Sequence, residues 1–188
     1  MRPKIRVFKV ERNSKMVLNK AYFWTSTIKD WIKLLQPESY KQLIIETLKD
    51  LVDRKLIKIY AFVIMPNHVH IVWKNIALNG KEMPAASFNK KIAHEILKDL
   101  KLNNQKMLQH FMVQEHSRSF RIWQRDALAI LMDNRGKLEQ KISYIHRNPL
   151  QEMWNLVAFS VDYKWSSAKF YHDGIDEFQI LTHYMDLL

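Results

Sequence analysis

A chain of 188 residues can fold as one domain with a sizeable core but is short for two, and its 47% hydrophobic and 12% aromatic content excludes a disordered polymer. Zero cysteines exclude disulfides, thiolate zinc sites and cysteine nucleophiles, and fit a reducing compartment. Thirty Lys and Arg against 19 Asp and Glu give a net charge of +11, the footprint of a polyanion binder, with nucleic acid the first expectation and a membrane surface the second.

The N-terminal stretch carries Arg2, Lys4, Arg6, Lys9, Arg12, Lys15 and Lys20 with Glu11 as its one acid, which suggests a basic arm, a first strand around Ile5 to Val10, or a frayed end. It lacks the apolar core of a signal peptide, and the chain has no apolar run of about 18 residues. A soluble cytoplasmic protein with no membrane partner is expected. Ala21 to Ile28 is dense in aromatic and β-branched residues and predicts a strand. Pro37 then opens a helix to about Arg54, with Leu43, Ile44, Leu48, Leu51 and Val52 at helical spacing.

Ile59 to Lys74 is the stretch around which the rest is organised. An apolar run, a Met-Pro-Asn break and a second β-rich run predict two neighbouring strands with a short connection. Side chains alternate along a strand, so His68, His70 and Val72 share one face and Val69, Ile71 and Trp73 the other. Two imidazoles on one face can grip a divalent ion if a third group arrives from elsewhere.

Asn79-Gly80 and Met83-Pro84 mark a loop, after which a helix capped by Ser87 is predicted to about Leu102. Phe88, Ile92, Ile96 and Leu100 form its apolar side. Lys91, His94, Lys98 and Lys101 form a basic stripe, read either as a solvated face or as a phosphate-contacting one. Residues 103 to 118 suggest a loop or short helix, and Phe120 to Gln124 a further strand with Arg118, Arg121 and Arg125 around it.

From about Asp133 a last helix is predicted, with Leu138, Ile142 and Ile145 as its buried edge and Lys137, Lys141, Tyr144 and Asn148 as the adjoining polar stripe. Pro149 biases Asn148 away from helical geometry, so the helix is expected to stop there. The aromatic tail, Trp154, Tyr163, Trp165, Phe170 and Tyr171, is expected to pack onto the domain more than to stack bases. Two histidines, a tyrosine, a polar side chain and a basic surface together suit attack by a tyrosine hydroxyl on a phosphodiester, with a divalent ion taking up the developing charge.

The blocks Tyr60 to Trp73 (Y-A-F-V-I-M-P-N-H-V-H-I-V-W), Trp123 to Arg125 (W-Q-R), Tyr144 to Pro149 (Y-I-H-R-N-P) and Trp165 to Ala168 (W-S-S-A) resemble, in order, those of the REP-associated tyrosine transposases, within the IS200/IS605-like single-tyrosine HUH transposases. The similarity covers roughly residues 20 to 172. It implies a single α+β domain over 1–188 with a ferredoxin-like antiparallel sheet and helices packed on one face. It also implies His68 and His70 as paired metal ligands, Asn148 as third ligand, Mg²⁺ or Mn²⁺ as the ion, and Tyr144 as the nucleophile forming a 5′-phosphotyrosine link to single-stranded DNA. Hairpin-forming, REP-like palindromic DNA is the implied partner. Lys91, Lys98, Lys101, Arg118, Arg121, Arg125 and Lys141 are the expected DNA contacts, and a monomer is preferred to a dimer.

Two departures from the family pattern stand out. Asp126 to Ile130 replaces an aromatic, His-rich run, and Leu150-Gln151-Glu152-Met153-Trp154 replaces a Val-Arg-Ala-Gly-type stretch. His146 is expected to be structural or solvent-facing. A catalytically silent hairpin-binding regulator and an RNA-binding ferredoxin-like domain, the latter using aromatics such as Trp73, are the competing readings.

Overall fold

The computed structural model describes residues 15–116 and 118–187; the expected strand around Ile5 to Val10 and most of the basic arm lie outside them. The first described strand, β1 (Ala21–Thr27), is followed by α1 (Glu38–Asp53), β2 (Ile57–Ile64), β3 (His68–Asn75) and α2 (Pro84–Asn103). A short α3 (Gln105–Gln109), a hairpin of β4 (Met112–Glu115) and β5 (Arg118–Phe120), β6 (Leu128–Leu131), α4 (Arg135–Arg147) and α5 (Ala168–Asp173) complete it.

The main sheet has the order β2-β3-β1-β6, and its pairs are all antiparallel. With the β4–β5 hairpin set aside as an insertion, this is the β-α-β-β-α-β arrangement of a ferredoxin-like domain, as expected. Register places each side chain. Thr25 pairs with His70 and Thr27 with His68, so these four residues share a face, while Trp24 pairs with Ile71 on the other.

The two faces are covered differently. On the face carrying Trp24 and Trp73, α2 inserts Phe88, whose ring lies 5.9 Å from Trp24 and 6.0 Å from Trp73, and α1 packs beside α2. Buried aromatics of this size contribute roughly 2–3 kcal/mol each through area removed from water. The expected pair of helices on one face is therefore present. α4 is an addition on the opposite face, where it lies against β2 and β3 and buries Leu138, Ile142 and Ile145.

The edge of β2 is closed by the C-terminal segment. Ile64 N donates to Trp165 O (2.9 Å), Ser167 N to Phe62 O (3.0 Å) and Thr182 N to Ile59 O (2.8 Å), which satisfies groups that would otherwise invite pairing with another chain. Trp165 stacks on Phe178 with ring centroids 5.9 Å apart, so these tail aromatics are packing groups as expected.

Three local expectations are corrected. Phe120 to Gln124 is not one strand: β5 ends at Phe120, and the fourth strand of the sheet is Leu128–Leu131, the stretch read from sequence only as a departure. Ile122 and Trp123 are buried, but they meet the sheet through a lone bridge from Trp123 to Ile28. The helix predicted from Ser87 begins at Pro84, whose missing N–H costs nothing in a first turn; Ser87 Oγ donates to Pro84 O within that turn instead of capping it. Finally, α4 stops at Arg147 as expected, but Asn148 keeps helical dihedrals (φ −56°, ψ −47°) despite Pro149, and its side chain donates back to Tyr144 O at 3.3 Å.

Candidate active site

β3 begins immediately after the Met65-Pro66-Asn67 connection, and this brings His68 and His70 out of the sheet side by side. Their ring centroids are 4.6 Å apart, and both residues are buried, at 6% exposure each. Phe23 from β1 stacks on His70 at 5.1 Å. α4 crosses this face with Tyr144 turned toward the pair, its ring 5.3 Å from that of His70 and 6.0 Å from Phe23. One turn earlier, Lys141 holds its ammonium 4.7 Å from the Phe23 centroid and 5.4 Å from that of Tyr144. Tyr144 is 41% exposed and lines a surface cleft of about 540 Å³ with Gln140, Ser143, Arg147, Leu150 and Gln151.

The protonation of the imidazoles follows from their neighbours. Asn67 Nδ2 donates to Trp31 O (3.0 Å), which fixes the amide with Oδ1 toward His68 Nδ1 at 2.6 Å. A carbonyl oxygen only accepts, so His68 carries its proton on Nδ1 and leaves the Nε2 lone pair bare. Nδ1 of His70 is engaged by Thr25 Oγ1 at 2.7 Å, which leaves Nε2 as its uncommitted nitrogen. Burial pushes the His68 pKa down to about 4, with the Asn148 amide opposing the shift. His70 is held well below its ordinary value by burial first, then by His68 and Lys141. Both rings are therefore neutral at pH 7, the form in which imidazole acts as a ligand.

Asn148 is 2% exposed; its Nδ2 faces Tyr144 O, and its amide reaches the His68 ring. Among the described residues, no cluster of three His, Cys, Asp or Glu side chains suits a metal. The donors gathered here are two neutral imidazoles and one amide oxygen, each oriented by a second hydrogen bond, and such a set fits a divalent ion.

The seven residues expected to touch DNA divide into three groups. Lys141 belongs to the cluster just described. Lys91, Lys98 and Lys101 are exposed on α2, the helix that covers the opposite face of the sheet from the histidines. Arg118, Arg121 and Arg125 gather around one carboxylate, Glu115, at 3.6 Å for Arg118 and 3.0 Å for Arg125, with Arg121 in direct contact and half-buried. These arginines line a cleft of about 830 Å³ against Asn89, Lys90 and His94 of α2. His146 is structural: its Nε2 meets Ser167 Oγ at 2.9 Å, and burial pushes its pKa down to about 4.

Sequence reasoning did not single out Phe23, Thr25 or Asn67. Phe23 and Thr25 become neighbours of His70 only through strand register, which no local pattern reveals. Asn67 stood beside His68 in the Met-Pro-Asn-His run, and its pairing with a ring nitrogen was a legible possibility. Trp154 is half-buried against the core, as expected, and its ring lies 5.9 Å from that of His68.

No protein-family model matches the chain, and no curated protein matches it. The architecture defines an α+β domain with a ferredoxin-like antiparallel sheet. Among solved structures, the chain is similar to a REP-associated tyrosine transposase bound to a REP hairpin, with a TM-score of 0.59 over 87% of this chain and 86% of that one. At 17% identity the likeness is one of fold.

Proposed function

We propose that this protein is a REP-associated-type tyrosine transposase that cleaves and rejoins single-stranded DNA beside a hairpin. The observation carrying this reading is the meeting of Tyr144 with the buried pair His68 and His70 within one chain. The fold shared with a hairpin-bound transposase and the net charge of +11 support it.

In the reaction, Tyr144 Oη attacks phosphorus, a Tyr–O–P bond forms, and the bond to the 3′ oxygen breaks. The phenol gives up its proton, and the departing 3′ oxygen gains one as a 3′-hydroxyl. One phosphoester replaces another, so the link energy is retained for rejoining by a 3′-hydroxyl, where hydrolysis would lose it. Lys141 lies where it can meet a phosphate oxygen beside the phenol ring. Phe23 and the sheet wall exclude water from the back of the imidazoles, and Asn67 and Thr25 hold the rings in orientation. His68, His70 and Asn148 would hold Mn²⁺ or Mg²⁺, which when bound supplies charge stabilisation at a non-bridging oxygen.

Arg118 and Arg125, with Lys91, Lys98 and Lys101, supply sequence-independent phosphate contacts for the hairpin stem. Both halves of the site come from one chain, so a monomer suffices. The test is cleavage of a hairpin-bearing oligonucleotide labelled at either end, with Mn²⁺ or with EDTA. Metal-dependent release of a free 3′-hydroxyl fragment, with the other fragment bound to protein, is expected. Tight hairpin binding that is insensitive to EDTA, with no cleavage, supports the silent-regulator reading instead.

A further inference from the structure

The end of the Leu150–Trp154 stretch brings an indole to the His68 side of the site, and the turn after β1 is tied to the same side through the Trp31 carbonyl. Trp154 lies with its ring 5.9 Å from His68, and the exposed Lys33 holds its ammonium 5.5 Å from the Trp154 centroid. Trp31 is 61% exposed, and its carbonyl is the group that fixes Asn67, which in turn holds His68.

Trp31 also sits in strained backbone. It and Asp30 are consecutive left-handed residues, at φ 59° and 55°, a conformation costing roughly 1–2 kcal/mol for a non-glycine residue. Lys29 Nζ neutralises Asp30 at 2.6 Å and donates to His110 O at 2.8 Å, which pins the turn. The strained turn thus presents a large indole to solvent while its carbonyl anchors the residue that holds His68. The other four tryptophans, Trp24, Trp73, Trp123 and Trp165, are buried.

Resting on the function proposed above, the geometry points to Trp154 and Trp31, with Lys33, as a base-stacking strip that holds the unpaired nucleotides flanking the reacting phosphate. Indole faces accept any base, and a lysine beside them meets the backbone, so the strip grips single-stranded DNA with little sequence preference. Trp154 lies on the His68 side of the pair and Lys141 and Tyr144 on the His70 side, so the strand would run over the site between the two cations.

The test uses the full chain and oligo-dT in EDTA, so that binding is read without chemistry. With four tryptophans buried, quenching of intrinsic fluorescence reports Trp31 and Trp154. Saturable quenching is expected, and Trp31→Ala and Trp154→Leu should each weaken binding by about 5- to 100-fold, the range for loss of one stacked base. Trp154→Tyr should restore most of the affinity, which a merely structural role for Trp154 would not require. Unchanged affinity in Trp31→Ala and Trp154→Leu overturns the strip, as does tighter binding of oligo-U RNA than of oligo-dT. A protein that shows this quenching but never cleaves would refute the proposed chemistry while leaving the strip standing, whereas cleavage without quenching would do the reverse.

Discussion

His70 and Tyr144 meet edge to face, with ring centroids 5.3 Å apart, though one lies near the start of a central strand and the other on a helix late in the chain. The contact forms because α4 buries Leu138, Ile142 and Ile145 on the sheet face that carries the histidines, which leaves its neighbouring polar stripe over them. Residues three and four apart share a helix face, so Lys141, Tyr144 and Asn148 arrive there together.

The groups behind the imidazoles should matter to metal affinity without touching the metal. Asn67→Ala removes the acceptor that sets the His68 tautomer, and Thr25→Val removes the hydroxyl at His70 Nδ1. Each should weaken Mn²⁺ binding by about 10- to 100-fold by calorimetry, with the fold intact by circular dichroism. Wild-type affinity in both variants would show that the tautomer plays no part.

Acid should destabilise the metal-free protein through its buried histidines. In the unfolded chain they titrate near 6.5, whereas His68 and His146 are pushed to about 4 in the folded state and His70 well below its ordinary value. Below about pH 6.5 the unfolded chain therefore takes up protons first. Stability is full above that pH and falls as the pH drops toward 4, by at most about 1.4 kcal/mol per pH unit for each histidine. His146→Gln should flatten this acid limb in urea melts at pH 7, 6 and 5, and an unaltered limb would contradict the assignment.

Much of this arrangement was legible in sequence. Alternation along His68 to Trp73 gave the shared face of the two imidazoles, and helical spacing gave the stripe of Lys141, Tyr144 and Asn148. The fourth strand was missed because Leu128–Leu131 is four residues of unbroken apolar character, too short for period two to be distinguished from chance. Glu115 was missed as the anchor of three arginines because that contact is made by the β4–β5 hairpin, which neither composition nor periodicity marks. Trp154 packs against the core as expected, but no local pattern reveals that its ring comes to lie beside His68.

The arginine cluster should act on affinity uniformly across sequences. Arg118 and Arg125 keep more than half of their side-chain surface exposed while paired with Glu115. Arg118→Ala and Arg125→Ala should each lower the slope of log affinity against log salt by about one for hairpin DNA, with no change in sequence preference. Arg121, half-buried against Glu115, should affect thermal stability more than salt dependence. Salt slopes equal to wild type in both exposed variants would remove this cleft from the DNA interface.

Lys141 should separate chemistry from binding. Its ammonium lies beside the Tyr144 ring and raises the cost of protonating His70. Lys141→Met, which keeps the apolar stem over Phe23, should slow cleavage by about 100-fold, within the range for losing one donor at a developing charge. Hairpin affinity should change by less than about tenfold. Equal loss in both would reduce Lys141 to one more phosphate contact.

The central claim is a covalent bond, and it is read most directly by mass spectrometry of peptides after incubation with a single-stranded hairpin oligonucleotide and Mn²⁺. The account predicts a nucleotide adduct on the peptide bearing Tyr144, absent in Tyr144→Phe and in EDTA. An adduct of equal yield in Tyr144→Phe, or one mapped to another residue, would contradict it.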